Sequence, residues 1–296
     1  MKNQAIHPEP PPAAKPTASR KQKSAQSNIF QKIAAVPHTV WTVMFIVAPM
    51  LFVLYFAFTD ASGHFSFSNI TQLSQYTNVF ILSIAFALIA TAVCLLIGYP
   101  LAYFMSRRSA KTQKILMVLI MLPMWCNLLI RTYALMALLD NGGLLNSLLN
   151  RLGLDTLPIV GSYFGVILGM VYDFLPYMVL PIFTAMTKLD SRFIEASADL
   201  GCNSWQTMTK VIMPLTLSGV VSGVTMVFVP SISTFYISQK LGAGKIDLVG
   251  DTIERLFQNV STYNVGAAMS LIMMILIIVS VAIMNKFSDD EGGAIH

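Results

Sequence analysis

Six stretches of this chain run apolar for about 20 residues or more: roughly Val40–Phe58, Val79–Met105, Ile115–Leu139, Ile159–Thr187, Leu215–Ser238 and Val265–Asn285. At about 1.5 Å of rise per residue each is long enough to cross about 30 Å of hydrocarbon. Backbone polar groups in lipid must satisfy one another within the segment, so each run is expected to be a helix. The expected fold is an all-α membrane protein of six spans. Only 11% of the 296 residues are charged, against roughly a quarter in a soluble domain. Outside the N-terminal region no polar segment exceeds about 30 residues, so no separate soluble domain is expected. Pro49, Pro100, Pro123, Pro176, Pro181 and Pro230 fall inside the runs and predict kinks, which suit a bundle lining a pathway.

The first 39 residues differ in kind. Pro, Ala, Ser and Lys/Arg dominate them, and Ile6 is the only large aliphatic before Ile29. Such a composition buries no core and predicts a disordered basic tail, too proline-rich for an ordinary signal peptide. The tail carries six Lys/Arg, the 106–114 loop four, the 188–214 loop three and the C-terminal 286–296 tail one, against four in the alternate loops. By the positive-inside rule both termini are expected in the cytoplasm. Cys94, Cys126 and Cys202 form no C-x-x-C pair, and His7, His38, His64 and His296 are scattered. Neither a disulfide framework nor a metal site is expected.

One polar segment stands out in the expected cytoplasmic loop of about 188–214, "FIEASADLGCNSWQTMTKVIMP". Ala196, Ala198 and Leu200 favour helix, Gly201 punctuates it, and Pro214 restricts the chain as it enters the fifth run. A helix–glycine–helix on the cytoplasmic surface would offer Phe193, Ala196, Leu200 and Trp205 to a partner. The pattern resembles the EAA motif of ABC importer permeases. Glu195, Ala196, Gly201 and Pro214 match by type and spacing, Ser197 stands where the family has a second Ala, and Met213 where it has Leu. The resemblance implies a coupling helix that seats in an ATPase subunit, with Glu195, Ala196, Ser197, Leu200, Gly201 and Pro214 as the coupling residues.

"GYPLAYFMSRR", "LPMWCNLLIRTYA", "VYDFLPYMVLPIFTAMTKLD" and "VFVPSISTFYISQKLGAGK" are similar to segments of the PotB-type permeases of spermidine/putrescine importers. The likeness covers about 40–285; permeases for thiamine, iron or opine-like solutes match these stretches less well. It implies the type I ABC importer fold and a second, PotC-like permease. It also implies a dimer of PotA-like ATPases carrying the ATP and Mg, and a PotD-like extracytoplasmic polyamine-binding protein. Substrate and lipid bilayer complete the expected partners; nucleic acid is not among them.

Arg131 and Asp173 are the charges clearly inside runs. A charge in a membrane requires a partner or water. Either they pair and lock the third and fourth spans together, or Asp173 faces a wet path and attracts a cationic substrate. Arg131 is usual at its place in "NLLIRTY" by the resemblance; an acid at 173 is not. A polycation with a methylene spine suits aromatic faces, so Trp125, Tyr133, Tyr172, Phe235 and Tyr236 are candidate path residues, with packing or interface anchoring as the plainer role. Asp140, Asp155, Asp247, Asp251 and Glu254 are expected in solvated outer loops. "GAGK" (Gly242–Lys245) is no phosphate loop, since Gln239 and Ile246 stand where Walker A needs Gly and Ser/Thr. No nucleophile–base set points to an enzyme. A secondary carrier or channel is the rival from another class, and the absence of obvious inverted repeats speaks against it.

Overall fold

The computed structural model describes residues 35–60 and 62–292, with side chains to 286. The expected basic tail over 1–34 lies outside the described residues. Two compact units meet in sequence between Phe52 and Val53. The described part of the first is the opening of helix α1 (Ala35–Ala57), π-helical over Val43–Val47. Residues 35–39, expected as tail, are therefore helical.

The regular structure of the second unit is helical among its described residues, apart from an isolated bridge between Thr59 and Phe65. Its centre is three helices packed on one another: α2 (Thr77–Ser106), α6 (Tyr163–Thr187) and α9 (Leu217–Ser233). Their facing residues make one core, with Phe86, Ala90, Cys94 and Met105 from α2, Met170, Phe174, Met178 and Ile182 from α6, and Val227 from α9. Lipid is as apolar as leucine, so helix association here depends on close packing rather than on expulsion of water. Gly219 and Gly223, four residues apart on α9, provide it. A Cβ on Gly219 would lie 2.6 Å from Ala185 Cβ and 2.9 Å from the Pro181 carbonyl oxygen; one on Gly223 would lie 2.9 Å from Met178 Sδ. A second core joins Phe228 and Ile232 of α9 to α11 (Val249–Phe257) and α12 (Tyr263–Gly292).

Among the described residues five helices are long and apolar enough to cross a membrane, and up to six if one bent pair counts as a single span. Two expected spans are interrupted. The third run splits into α3 (Ala110–Trp125) and α4 (Leu128–Leu139) because Cys126 is extended and the Asn127 side chain accepts from Leu129 N at 2.8 Å, starting a new helix. Pro123, lacking an N–H, sits just before the break. A short helix α5 (Leu144–Arg151) follows α4. The fifth run ends its helix at Ser233, Thr234 is extended, and α10 (Tyr236–Leu241) begins afresh. By contrast α6 holds one helix through Pro176 and Pro181. The bent pair is α8 (Ser204–Leu215, π-helical over Met208–Ile212) and α9, which meet at 68°. At that elbow Thr216 is fully buried; its Oγ1 lies 2.8 Å from the Ile212 carbonyl and 3.1 Å from Tyr99 OH.

Candidate functional site

The polar segment forms a helical hairpin whose turn is closed by local hydrogen bonds. Asp190 caps α7 (Ser191–Asp199) through Arg192 N at 3.0 Å. Gly201, at φ +77°, ends it, with Gly201 N donating to Ala198 O at 2.9 Å and Cys202 N to Ser197 O at 3.0 Å. That is the Schellman arrangement, in which a left-handed residue lets the chain turn back on the last carbonyls. Asn203 and Gln206 then cap α8 reciprocally, at 2.8 and 3.0 Å. Both helix ends at the turn are thus satisfied without help from outside the segment.

The hairpin's two faces differ. Leu200 is 84% exposed, Trp205 74% and Phe193 53%, and Glu195, Ala196, Gly201 and Pro214 are exposed as well. Ser197 is the exception. Expected among the docking residues, it is buried at 4% exposure, bonding Ile194 O at 2.7 Å and Thr207 Oγ1 at 2.9 Å across the hairpin. Where the family pattern has a methyl, this hydroxyl ties α7 to α8. Beneath the hairpin a cavity of about 240 Å³ is lined by Tyr103, Arg107, Gln113, Met186, Ile194 and Ile212. Pro214 lies in the last turn of α8, just before the elbow.

Arg131 and Asp173 are brought together. Arg131 Nε contacts Asp173 Oδ1, an ion contact without the alignment of a hydrogen bond, and the residues are 7% and 0% exposed. Arg131 Nη1 donates to the Pro123 carbonyl at 3.2 Å, and Thr132 Oγ1 lies 3.2 Å from Asp173 Oδ2 and 2.9 Å from Leu128 O, its one proton shared between them. Tyr172 joins this knot, with the guanidinium 5.9 Å from its ring centre. Within this chain the Asp173 carboxylate is buried between α4 and α6 and paired with Arg131. Thr132, adjacent to Arg131, was not foreseen in this role.

The remaining aromatic candidates do not converge. Tyr133 and Tyr236 meet edge to face at 5.8 Å, and Lys240 Nζ lies 5.0 and 5.5 Å from the two ring centres. A cation already occupies that aromatic pair. Phe235 lines a separate, mostly apolar cavity of about 450 Å³ with Met273, Met274 and Ile277, and Trp125, 74% exposed, stands at the end of α3. The carboxylates expected in outer loops also divide. Asp247 pairs with Arg255 at 2.9 Å, whereas Asp251 is 4% exposed, which corrects its expected place in a solvated loop. Among the described residues no group of three or more His, Cys, Asp or Glu is arranged to hold a metal.

Residues 95–290, which contain both the hairpin and the Arg131–Asp173 knot, match the family described as binding-protein-dependent transport system inner membrane component. The chain belongs to this family. The spermidine/putrescine transport system permease protein PotB of Haemophilus influenzae is 36% identical over 260 residues, 84% of this chain and 91% of that protein. The PotB of Escherichia coli is 37% identical over 246 residues, 80% and 90% of the two chains. Among solved structures, a chain of a bacterial alginate ABC transporter, in complex with alginate pentasaccharide-bound periplasmic protein, superposes with a TM-score of 0.73 at 18% identity. It covers 90% of this chain and 96% of that one, and shares the fold. The chain is thus a multi-pass inner-membrane permease subunit of the ABC importer type, a transport component and not a catalytic enzyme.

Proposed function

We propose that this permease is the PotB-type transmembrane subunit of a spermidine/putrescine importer and that its α7–α8 hairpin is the seat for an ATP-hydrolysing partner. The likeness to PotB over most of both chains supports the substrate class. The observation that carries the coupling is the hairpin itself, a locally capped turn that exposes Phe193, Leu200 and Trp205. Large apolar side chains on a rigid polar turn are the anatomy of a docking knob. Lys and Arg placement supports a cytoplasmic hairpin and cytoplasmic termini. In this reading a PotC-like permease completes the pathway and a pair of PotA-like ATPases supplies ATP and Mg. A PotD-like binding protein delivers the polyamine. Closure of the ATPases moves the hairpin, and alternating access follows.

The test is labelled spermidine uptake in cells lacking this gene, restored with the wild-type chain, Gly201→Asp or Leu200→Asp. Gly201 has open space around it, and Asp tolerates a left-handed backbone better than most residues, so the first variant alters the docking surface more than the fold. Wild-type rescue with at least tenfold lower uptake for either variant, at equal membrane abundance, is expected. Equal rescue by all three refutes coupling through the hairpin. No rescue by the wild-type chain, with its partner subunits present, refutes the polyamine assignment.

A further inference from the structure

Between α10 and α11, a cavity of about 300 Å³ is lined by Gln239, Gly244, Asp247, Asp251, Glu254 and Arg255, among others. That volume is at the lower bound of ordinary small-ligand sites. Three carboxylates line it: Asp247 and Glu254 are half-buried and Asp251 is buried. Arg255 neutralises Asp247, which leaves two negative charges facing the space. Both Glu254 oxygens have amide donors, Gln239 Nε2 on one and Gln258 Nε2 at 3.4 Å on the other. Asp251 Oδ2 accepts from Leu248 N at 2.9 Å. Asp251 Oδ1, buried, has no aligned donor: the nearby Ser238 hydroxyl, which favours the ionised carboxylate, gives its proton to Phe235 O at 2.9 Å.

A buried carboxylate oxygen without a donor is costly, and its surroundings point to what would relieve it. Water could fill the hydrogen bond and would leave both charges uncompensated. A metal ion would need a denser ligand set than these residues form. A primary ammonium satisfies both demands, with three N–H donors and one positive charge on a tapering carbon stem. Burial also pushes the Asp251 carboxyl up to about 6, against weaker hydrogen-bond effects and with Asp247 and Glu254 adding to the rise. The group is thus ionised yet penalised at neutral pH, the state that a cation stabilises.

We propose that this cavity is a docking site for one primary ammonium end of an alkyl diamine or polyamine, with Asp251 Oδ1 as its acceptor and Glu254 as the second charge. The proposal rests on the polyamine reading for its physiological ligand and on the geometry alone for its chemistry.

The full-length permease, purified into nanodiscs with its accompanying subunits and without binding protein, is melted in the presence of putrescine, butylamine, butanol or Mg²⁺. Putrescine and butylamine are expected to raise the melting temperature while butanol and Mg²⁺ do not. Loss of one charge-assisted bond predicts that Asp251→Asn weakens amine binding by about tenfold or more. Glu254→Gln removes the half-buried second charge rather than the buried acceptor, so it should weaken binding less, and it guards against misfolding of the first variant. In cells, Asp251→Asn should raise the KM for spermidine about tenfold. An amine shift unchanged in both variants, or one reproduced by Mg²⁺, overturns the proposal. Amine binding that depends on Asp251, in a transporter that takes up no spermidine, would sink the polyamine reading and leave the site standing. Spermidine uptake with an unaltered KM in Asp251→Asn would do the reverse.

Discussion

Removing the Asp173 carboxylate strands Arg131, only 7% exposed, between α4 and α6. In Asp173→Asn the guanidinium retains the Pro123 carbonyl at 3.2 Å and loses its only counter-charge among the described residues. Breaking a buried pair from one side costs about 3–5 kcal/mol, because the surviving charge stays desolvated. For a chain of this size that corresponds to a drop of roughly 5–8 °C in melting temperature. Arg131→Met alone strands the acid and should cost a similar amount. The double variant Arg131→Met with Asp173→Leu removes both charges and leaves Thr132 bonded to Leu128 O at 2.9 Å, so it should recover most of the loss. Melting curves of the purified permease, with spermidine uptake measured on the same variants, separate a lock from a substrate ligand. If Asp173→Asn melts within about 1 °C of wild type and abolishes uptake, the lock is refuted, and the carboxylate serves the pathway.

Two further outcomes follow from packing and charge. Gly223→Leu drives a side chain into Met178 and its backbone at about 3 Å, so α9 must leave α6; thermal melting and membrane abundance should both fall, whereas the exposed Gly244→Ala should cost only its backbone strain, about 1 kcal/mol. The Asp251 carboxyl is held up at about 6 from 3.8, so the folded chain binds that proton more tightly than the unfolded chain does. Its stabilising effect is full below the unfolded value and is lost as pH rises through about 6, a swing of about 3 kcal/mol. Without added amine, Asp251→Asn should therefore melt higher than wild type at pH 8 and no higher at pH 4; an equal difference at both pH values would refute the assigned shift.

The hairpin was legible in the sequence because its determinants are local. Gly201 was read as its break, and Asp190, Asn203 and Gln206, which the reading passed over, likewise act on groups within three residues of themselves. The apolar runs were legible for the same reason. What escaped depends on distant partners or on small polar insertions. A lone Asn127 looks like one polar residue in a span, yet as a cap it divides the third run into two helices. Ser197 points inward because Thr207, ten residues on, meets it there. The sequence left both pairing and a wet path open for Arg131 and Asp173; their contact depends on the approach of α4 to α6, which no local pattern reports. Asp251 sits among charged neighbours that suggest solvent, but the backbone of α11 abuts α9, where a Cβ on Gly250 would lie 2.6 Å from the Thr234 carbonyl oxygen. That contact buries the next residue.

The elbow at Thr216 gives the hairpin leverage. α8 belongs to the hairpin, and α9 leaves it at 68° as a rod about 25 Å long by helical rise. Turned by about 10° at the elbow, such a rod sweeps its far tip through roughly 4 Å, most of a helical turn. The tip is Ser233 and Thr234, whose carbonyl oxygens lie 2.8 and 2.6 Å from where a Cβ on Gly250 would be, and Gly250 is bonded to Asp251. A push on the hairpin would therefore reach, with α9 as the crank, the close Thr234–Gly250 contact that stands one residue from the buried Asp251.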